Sequence, residues 1–115
     1  LTVKELAEGL GLAVVEGGEA LEKTVTGGYC GDLLSWVMGR AGAGSAWITV
    51  MTNENAIAVA VLANVSCIVL ADGAALGEKA RQRAAENGVA VLSDASGAYE
   101  LAVKIERALS GERRG

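Results

Sequence analysis

Three short apolar runs, Trp47 to Met51, Val65 to Leu70 and Val89 to Leu92, constrain this chain more than any other feature. They are rich in β-branched and other apolar residues and read as buried strands. A segment of helical length follows each one. Ala56 to Ala63 is apolar and stops at Asn64, Ala75 to Asn87 is amphipathic and stops at Asn87-Gly88, and the segment after Ser96 carries Leu101, Ala102, Ile105 and Leu109 on one face. Strand and helix alternating through short connections predict right-handed crossovers and a parallel sheet, hence an α/β fold.

The first half is shorter in its periods. Thr2-Val3-Lys4-Glu5 has the spacing of a capping box, and Val3, Leu6, Ala7 and Leu10 then recur at helical spacing. Leu12 to Val15 reads as a short strand, Gly17-Gly18 as a turn, Glu19 to Lys23 as a polar loop and Thr24 to Thr26 as a second short strand broken by Gly27-Gly28. Asp32 is placed as the N-cap of a helix through Leu33, Leu34, Val37 and Met38. No linker separates this half from the next, so its strands are expected at the edges of the same sheet, giving one domain over residues 1–110 and a frayed tail over 111–115.

A chain of 115 residues with 51% hydrophobic and 21% charged residues is in the range of one folded globular domain. Its net charge of −4 and scattered basic residues lack the basic stripe of a nucleic-acid footprint, so no nucleic-acid partner is expected. The longest apolar stretch, Ala56 to Ala71, is interrupted by Asn64 and Ser66 and falls short of the roughly 20 residues of a membrane span. No secretory pattern opens the sequence, and two cysteines are too few for a disulfide scaffold, so a cytoplasmic setting is expected. The high apolar fraction suggests a homodimer, with Trp36 and Trp47 as core or interface aromatics.

Several chemistries are missing from the sequence. There is no histidine, which removes the commonest general base and most zinc sites. Lys4, Lys23, Lys79 and Lys104 do not follow a glycine, so there is no P-loop. Gly42-Ala43-Gly44 precedes a strand and Trp47 occupies the third glycine position, so there is no dinucleotide fingerprint. Cys30, the one candidate reactive thiol, has no basic neighbour in sequence to activate it. No cofactor, metal or catalytic residue is assigned.

The positive signal is topological, because ligands of open parallel sheets bind beyond the carboxyl ends of the strands, where helices present free amides. Three loops are expected to converge there: Thr52-Asn53-Glu54-Asn55, Ala71-Asp72-Gly73 and Ser93-Asp94-Ala95-Ser96. Candidate ligand contacts are Thr52, Asn53, Asn55, Asp72, Gly73, Ser93, Asp94 and Ser96, joined by Gly27, Gly28 and Tyr29, whose glycines permit close backbone approach, and by Asp32. Helix capping accounts equally for Asn53, Ser93 and Ser96, and Asp72-Gly73 is a common turn pair.

The opening Thr2-Val3-Lys4-Glu5-Leu6-Ala7, then Val25-Thr26-Gly27-Gly28-Tyr29 with Gly31-Asp32-Leu33-Leu34-Ser35, and then Trp47-Ile48-Thr49 resemble the small stand-alone DRTGG-domain proteins related to the N-terminal domain of HPr kinase/phosphorylase. The family's name-giving residues fall at Asn53-Glu54 and Ala71-Asp72-Gly73, of which Gly73 matches. The resemblance implies a three-layer domain with a mainly parallel sheet. In related proteins such a domain accompanies nucleotide-binding CBS modules or phosphotransacetylase catalytic domains, which implies a regulatory or oligomerising role. The kinase activity belongs to a separate P-loop domain, so a serine kinase label would be inherited from a neighbour. The expected function is therefore a non-catalytic regulatory or ligand-sensing module that dimerises and binds a small anionic metabolite, a nucleotide or a partner protein. The alternatives are a metal-assisted enzyme acting on phosphoesters through Asp32, Asp72 or Asp94, and a purely structural dimer.

Overall fold

The computed structural model describes the backbone of residues 1–114 and the side chains of residues 1–111. Five strands form one sheet in the order β1-β5-β4-β3-β2, with β1 at Ala13–Glu16, β2 at Gly27–Cys30, β3 at Ser45–Thr49, β4 at Cys67–Leu70 and β5 at Ala90–Ser93. β2, β3, β4 and β5 run parallel, and β1 closes the far edge antiparallel to β5. Both first-half strands are therefore at the edges of the second-half sheet, as the missing linker implied. No helix among the described residues is long and apolar enough to cross a membrane.

Because β2 to β5 are neighbours in sequence order, right-handed crossovers put all three connecting helices on one face. α2 (Leu34–Arg40), α3 (Glu54–Ala63) and α4 (Glu78–Glu86) cover it, over Val37, Trp47, Ile57, Ile68 and Val91. The opposite face is covered by α1 (Val3–Leu10) and α5 (Ala98–Arg114), over Leu6, Ile48, Val69, Leu92, Leu101 and Ile105. Alternate residues of each central strand serve the two cores, which is why β3 and β4 are apolar at nearly every position. The result is the expected three-layer α/β architecture.

Local chemistry sets the helix ends. The Thr2 hydroxyl accepts from the Glu5 amide while the Glu5 carboxylate accepts from the Thr2 amide, completing the capping box. The backbone and then the hydroxyl of Thr2 hold the Glu5 carboxyl below its ordinary range. A lowered folded value means this contribution is present above the ordinary carboxylate range and lost as pH falls through the lowered value. Asn53 caps α3 by accepting from the Ala56 amide, and Asn64 ends it in the left-handed region at φ 57°.

Four local expectations need correction. Glu19 to Lys23 is not a loop: Gly18–Glu22 is a 3₁₀ turn that buries Ala20. Thr24 to Thr26 is not a strand, because its polar groups go elsewhere: Thr24 forms a single bridge with Thr2, its carbonyl accepts from the Ser66 hydroxyl, and Val25 donates to Leu1. The strand begins where the glycines had suggested a break, since Gly27 to Cys30 pairs in register with Ser45 to Ile48. α4 begins at Glu78, three residues later than its pattern suggested. The fraying expected over 111–115 falls mainly on residues whose side chains, and at Gly115 the backbone, lie outside the described residues; α5 itself extends to Arg114.

Candidate functional site

The carboxyl ends of β2, β3 and β4 open into a cleft of about 340 Å³ lined by Cys30, Gly31, Asp32, Thr49, Asp72 and Ala98, among others. Asp32 builds one wall. It does not cap α2, whose N-cap is Leu33 with no side-chain hydrogen bond. Instead its Oδ1 accepts from the Thr49 hydroxyl at 2.7 Å and from the Val50 amide at 3.0 Å, tying the turn after β2 to the end of β3. The Thr49 oxygen in turn accepts from the Met51 amide, and the Trp47 indole donates to the Gly31 carbonyl at 2.9 Å. The same Asp32 lines the cleft.

Asp72 builds the facing wall. Asp72 and Gly73 both have positive φ, 56° and 70°, and Ala74 donates back to Ala71, as in a primed turn. That turn aims two amides at the neighbouring loop: Asp72 donates to the Ser96 carbonyl and Gly73 to the Asp94 carbonyl, while Asp94 donates to Leu70. The Asp72 carboxylate stands at the head of the 17-residue α5, where a Cβ built on Gly97 would come within 3.5 Å of its Oδ1. Ala98, the first residue of α5, lines the cleft, so the positive end of that helix's dipole is the cleft's positive element.

Of the three loops, the structure brings together the second and third and leaves the first apart. The second and third are joined by the amides of the Asp72-Gly73 turn, whereas the loop after β3 leads towards α3 and lies against the start of α4. Thr52 and Asn53 accordingly face α4, Asn55 lines a groove between α3 and α4, and Glu54 pairs with Arg83 at 3.6 Å. Ser93 ends β5, and Asp94 turns back on its own loop, accepting from the Ser96 amide. Hydrogen bonds from the Ser96 side chain and then its backbone hold the Asp94 carboxyl below its usual range. Among the described residues no group of three or more His, Cys, Asp or Glu is close enough to hold a metal ion.

Gly27, Gly28 and Tyr29 form the edge strand β2. Tyr29 packs against the core on the α2–α4 face, and Gly28, Tyr29 and Cys30 line a second void of about 190 Å³ against Ala102, Ile105, Glu106 and Leu109 of α5. The cleft residues missed from the sequence are Cys30, Gly31, Ile48, Thr49, Val50 and Ala98. Thr49 was legible in principle, as the hydroxyl inside an apolar run that ends the strand two residues earlier than Met51.

Cys30 is exposed, yet enclosure by the cleft walls and, less, the charge of Asp32 push its thiol up. Burial pushes the Cys67 thiol up to about 12. Since only thiolate reacts, native protein at pH 8 is expected to label with a thiol reagent at Cys30 alone, more slowly than free cysteine and faster as pH rises. Cys67 should label only after unfolding, and a second native thiol would contradict the packing of β4.

No curated protein sequence matches the chain. Among solved structures, the CBS and DRTGG domains of the regulatory region of Clostridium perfringens pyrophosphatase, crystallised with the activator diadenosine tetraphosphate, superpose with a TM-score of 0.70 at 12% identity. The match covers 90% of this chain and 45% of that one, so the present chain spans less than half of its structural neighbour. The DRTGG domain model matches residues 5–108, from the capping-box glutamate to the last turns of α5, and the chain belongs to the DRTGG domain family.

Proposed function

We propose that this chain is a non-catalytic regulatory module that binds a nucleotide in the cleft at the carboxyl ends of β2 to β4. The observation that carries the reading is the pairing of two carboxylates, Asp32 and Asp72, with the N-terminus of α5 in one cleft. Both carboxylates oppose a bare anion, so the small anionic metabolite expected from sequence fits the cleft less well than a nucleotide does. Carboxylates accept from the hydroxyls of a ribose, and a helix N-terminus accommodates phosphate. The kinship in fold with a regulatory region that was crystallised with a nucleotide activator supports the same reading.

The test is calorimetric titration with AMP and with inorganic phosphate. AMP should bind the wild-type chain. Asp72→Asn, which keeps a residue tolerant of positive φ, should weaken AMP by about tenfold, equivalent to roughly 1.4 kcal/mol. The same substitution should strengthen phosphate by removing a like charge. Asn53→Ala should cost about 1 kcal/mol of stability as a lost cap and leave AMP affinity unchanged. Absence of AMP binding, or an Asp72→Asn variant that binds as well as wild type, would sink the reading.

Dimerisation is the second part of the proposal, favoured by apolar side chains that the packed pair α2 and α3 leaves in solvent. Trp36 is 51% exposed with Arg40 stacked on its ring at 3.8 Å, and Leu62 is 70% exposed. Sedimentation should show a dimer that Leu62→Glu dissociates; a monomer at all concentrations would refute it.

A further inference from the structure

The void between β2 and α5 originates in the sequence of β2. Alternation along β2 turns Tyr29 away from α5 and leaves Gly28 and Cys30 facing it. Glycine contributes no side chain and cysteine a small one, while α5 answers with Ala102 beside Ile105. Ile48, Glu106 and Leu109 complete the lining, and a slot of about 190 Å³ stays open between strand and helix. Cys30 and Ile48 line both this slot and the 340 Å³ cleft, so the two voids adjoin along one side of the sheet. Taken together they fall in the size range of small-molecule sites, roughly 300–1,000 Å³.

We infer that the slot takes the base of the nucleotide whose ribose and phosphate occupy the cleft, an inference that rests on the proposed cleft ligand. The lining, aliphatic apart from the Glu106 carboxylate, calls for a largely apolar group, and the junction calls for that group to be joined directly to a hydroxyl-bearing part facing Asp32 and Asp72. A nucleoside has this construction. An acyl chain suits the aliphatic part of the slot but brings no hydroxyls for the two carboxylates of the cleft. Gly28 is the residue that makes room, Ala102 and Ile105 supply the facing apolar wall, and Cys30 stands where base and sugar would meet.

Gly28→Val tests the placement without breaking the fold. A Cβ at Gly28 meets only the Ala46 carbonyl, at an ordinary 3.7 Å, and a β-branched residue suits an edge strand. Titrations of wild type and Gly28→Val with AMP and with ribose 5-phosphate are read alongside the rate of Cys30 labelling. The slot predicts that AMP binds wild type on the order of tenfold more tightly than ribose 5-phosphate. It also predicts that Gly28→Val abolishes this advantage while leaving ribose 5-phosphate unaffected, and that AMP slows Cys30 labelling more than ribose 5-phosphate does. Equal binding of the two ligands to wild type would overturn the slot and leave the cleft reading intact. An AMP advantage that survives Gly28→Val, or AMP binding that leaves Cys30 labelling unchanged, would place the base elsewhere. Binding of neither ligand would remove the cleft reading, and the slot with it.

Discussion

Replacing Trp47 by alanine is expected to be among the most damaging single changes in this domain. The side chain is fully buried between β3 and the helices of the α2–α4 face, and its indole N–H satisfies the Gly31 carbonyl. Truncating a buried tryptophan removes a large apolar surface and leaves a cavity, at about 3–5 kcal/mol, with the stranded carbonyl adding to it. Against a total of roughly 5–15 kcal/mol for a domain of this kind, that is a large fraction. Urea denaturation followed by circular dichroism should show the midpoint falling steeply, with Trp47→Phe intermediate because it keeps most of the packing and loses only the donor. Fluorescence gives an independent check. The chain has two tryptophans, and Trp36 is half exposed, so Trp47→Ala should emit at longer wavelength when native and change little on unfolding. A loss below about 1 kcal/mol would mean that the indole is not the core element described.

What could be read from the sequence follows from which signals are local. The capping box at Thr2 and Glu5, the Asn53 cap and the stop at Asn64 involve residues a few positions apart, and each appears in the structure as read. The alternation of strand and helix was equally legible because buried parallel strands are apolar throughout. The edge strand β2 was not, since Gly27-Gly28 is a turn signal by composition and becomes a strand only because β3 offers it a partner. Asp32 illustrates the same limit in the site. Preceding a helical pattern, it has the composition of an N-cap, and only the end of β3, reached through a parallel pairing, reveals that its carboxylate serves Thr49 and Val50 instead. The three loops do not all converge because the second and third are joined by backbone hydrogen bonds from Asp72 to Ser96 and from Gly73 to Asp94, and such long-range pairing has no local signature.

Asp32 is also where fold and proposed function can be separated most sharply. In Asp32→Ala the Thr49 hydroxyl, on a residue only 2% exposed, and the Val50 amide lose their acceptor together. Losing the acceptor for a buried donor costs about 1–3 kcal/mol, so this variant should show a clearly lower denaturation midpoint and a loosened cleft. In Asp32→Asn the amide oxygen can still accept from both donors, so most of the stability should remain. What Asn removes is the charge and one acceptor atom of a side chain that lines the cleft. Nucleotide affinity is therefore expected to fall in both variants while stability falls mainly in the alanine one. If Asn is as destabilising as Ala, the negative charge itself holds the two strand ends together. If Asn keeps full stability and full AMP affinity, Asp32 is scaffold alone and recognition must rest on Asp72 and the head of α5.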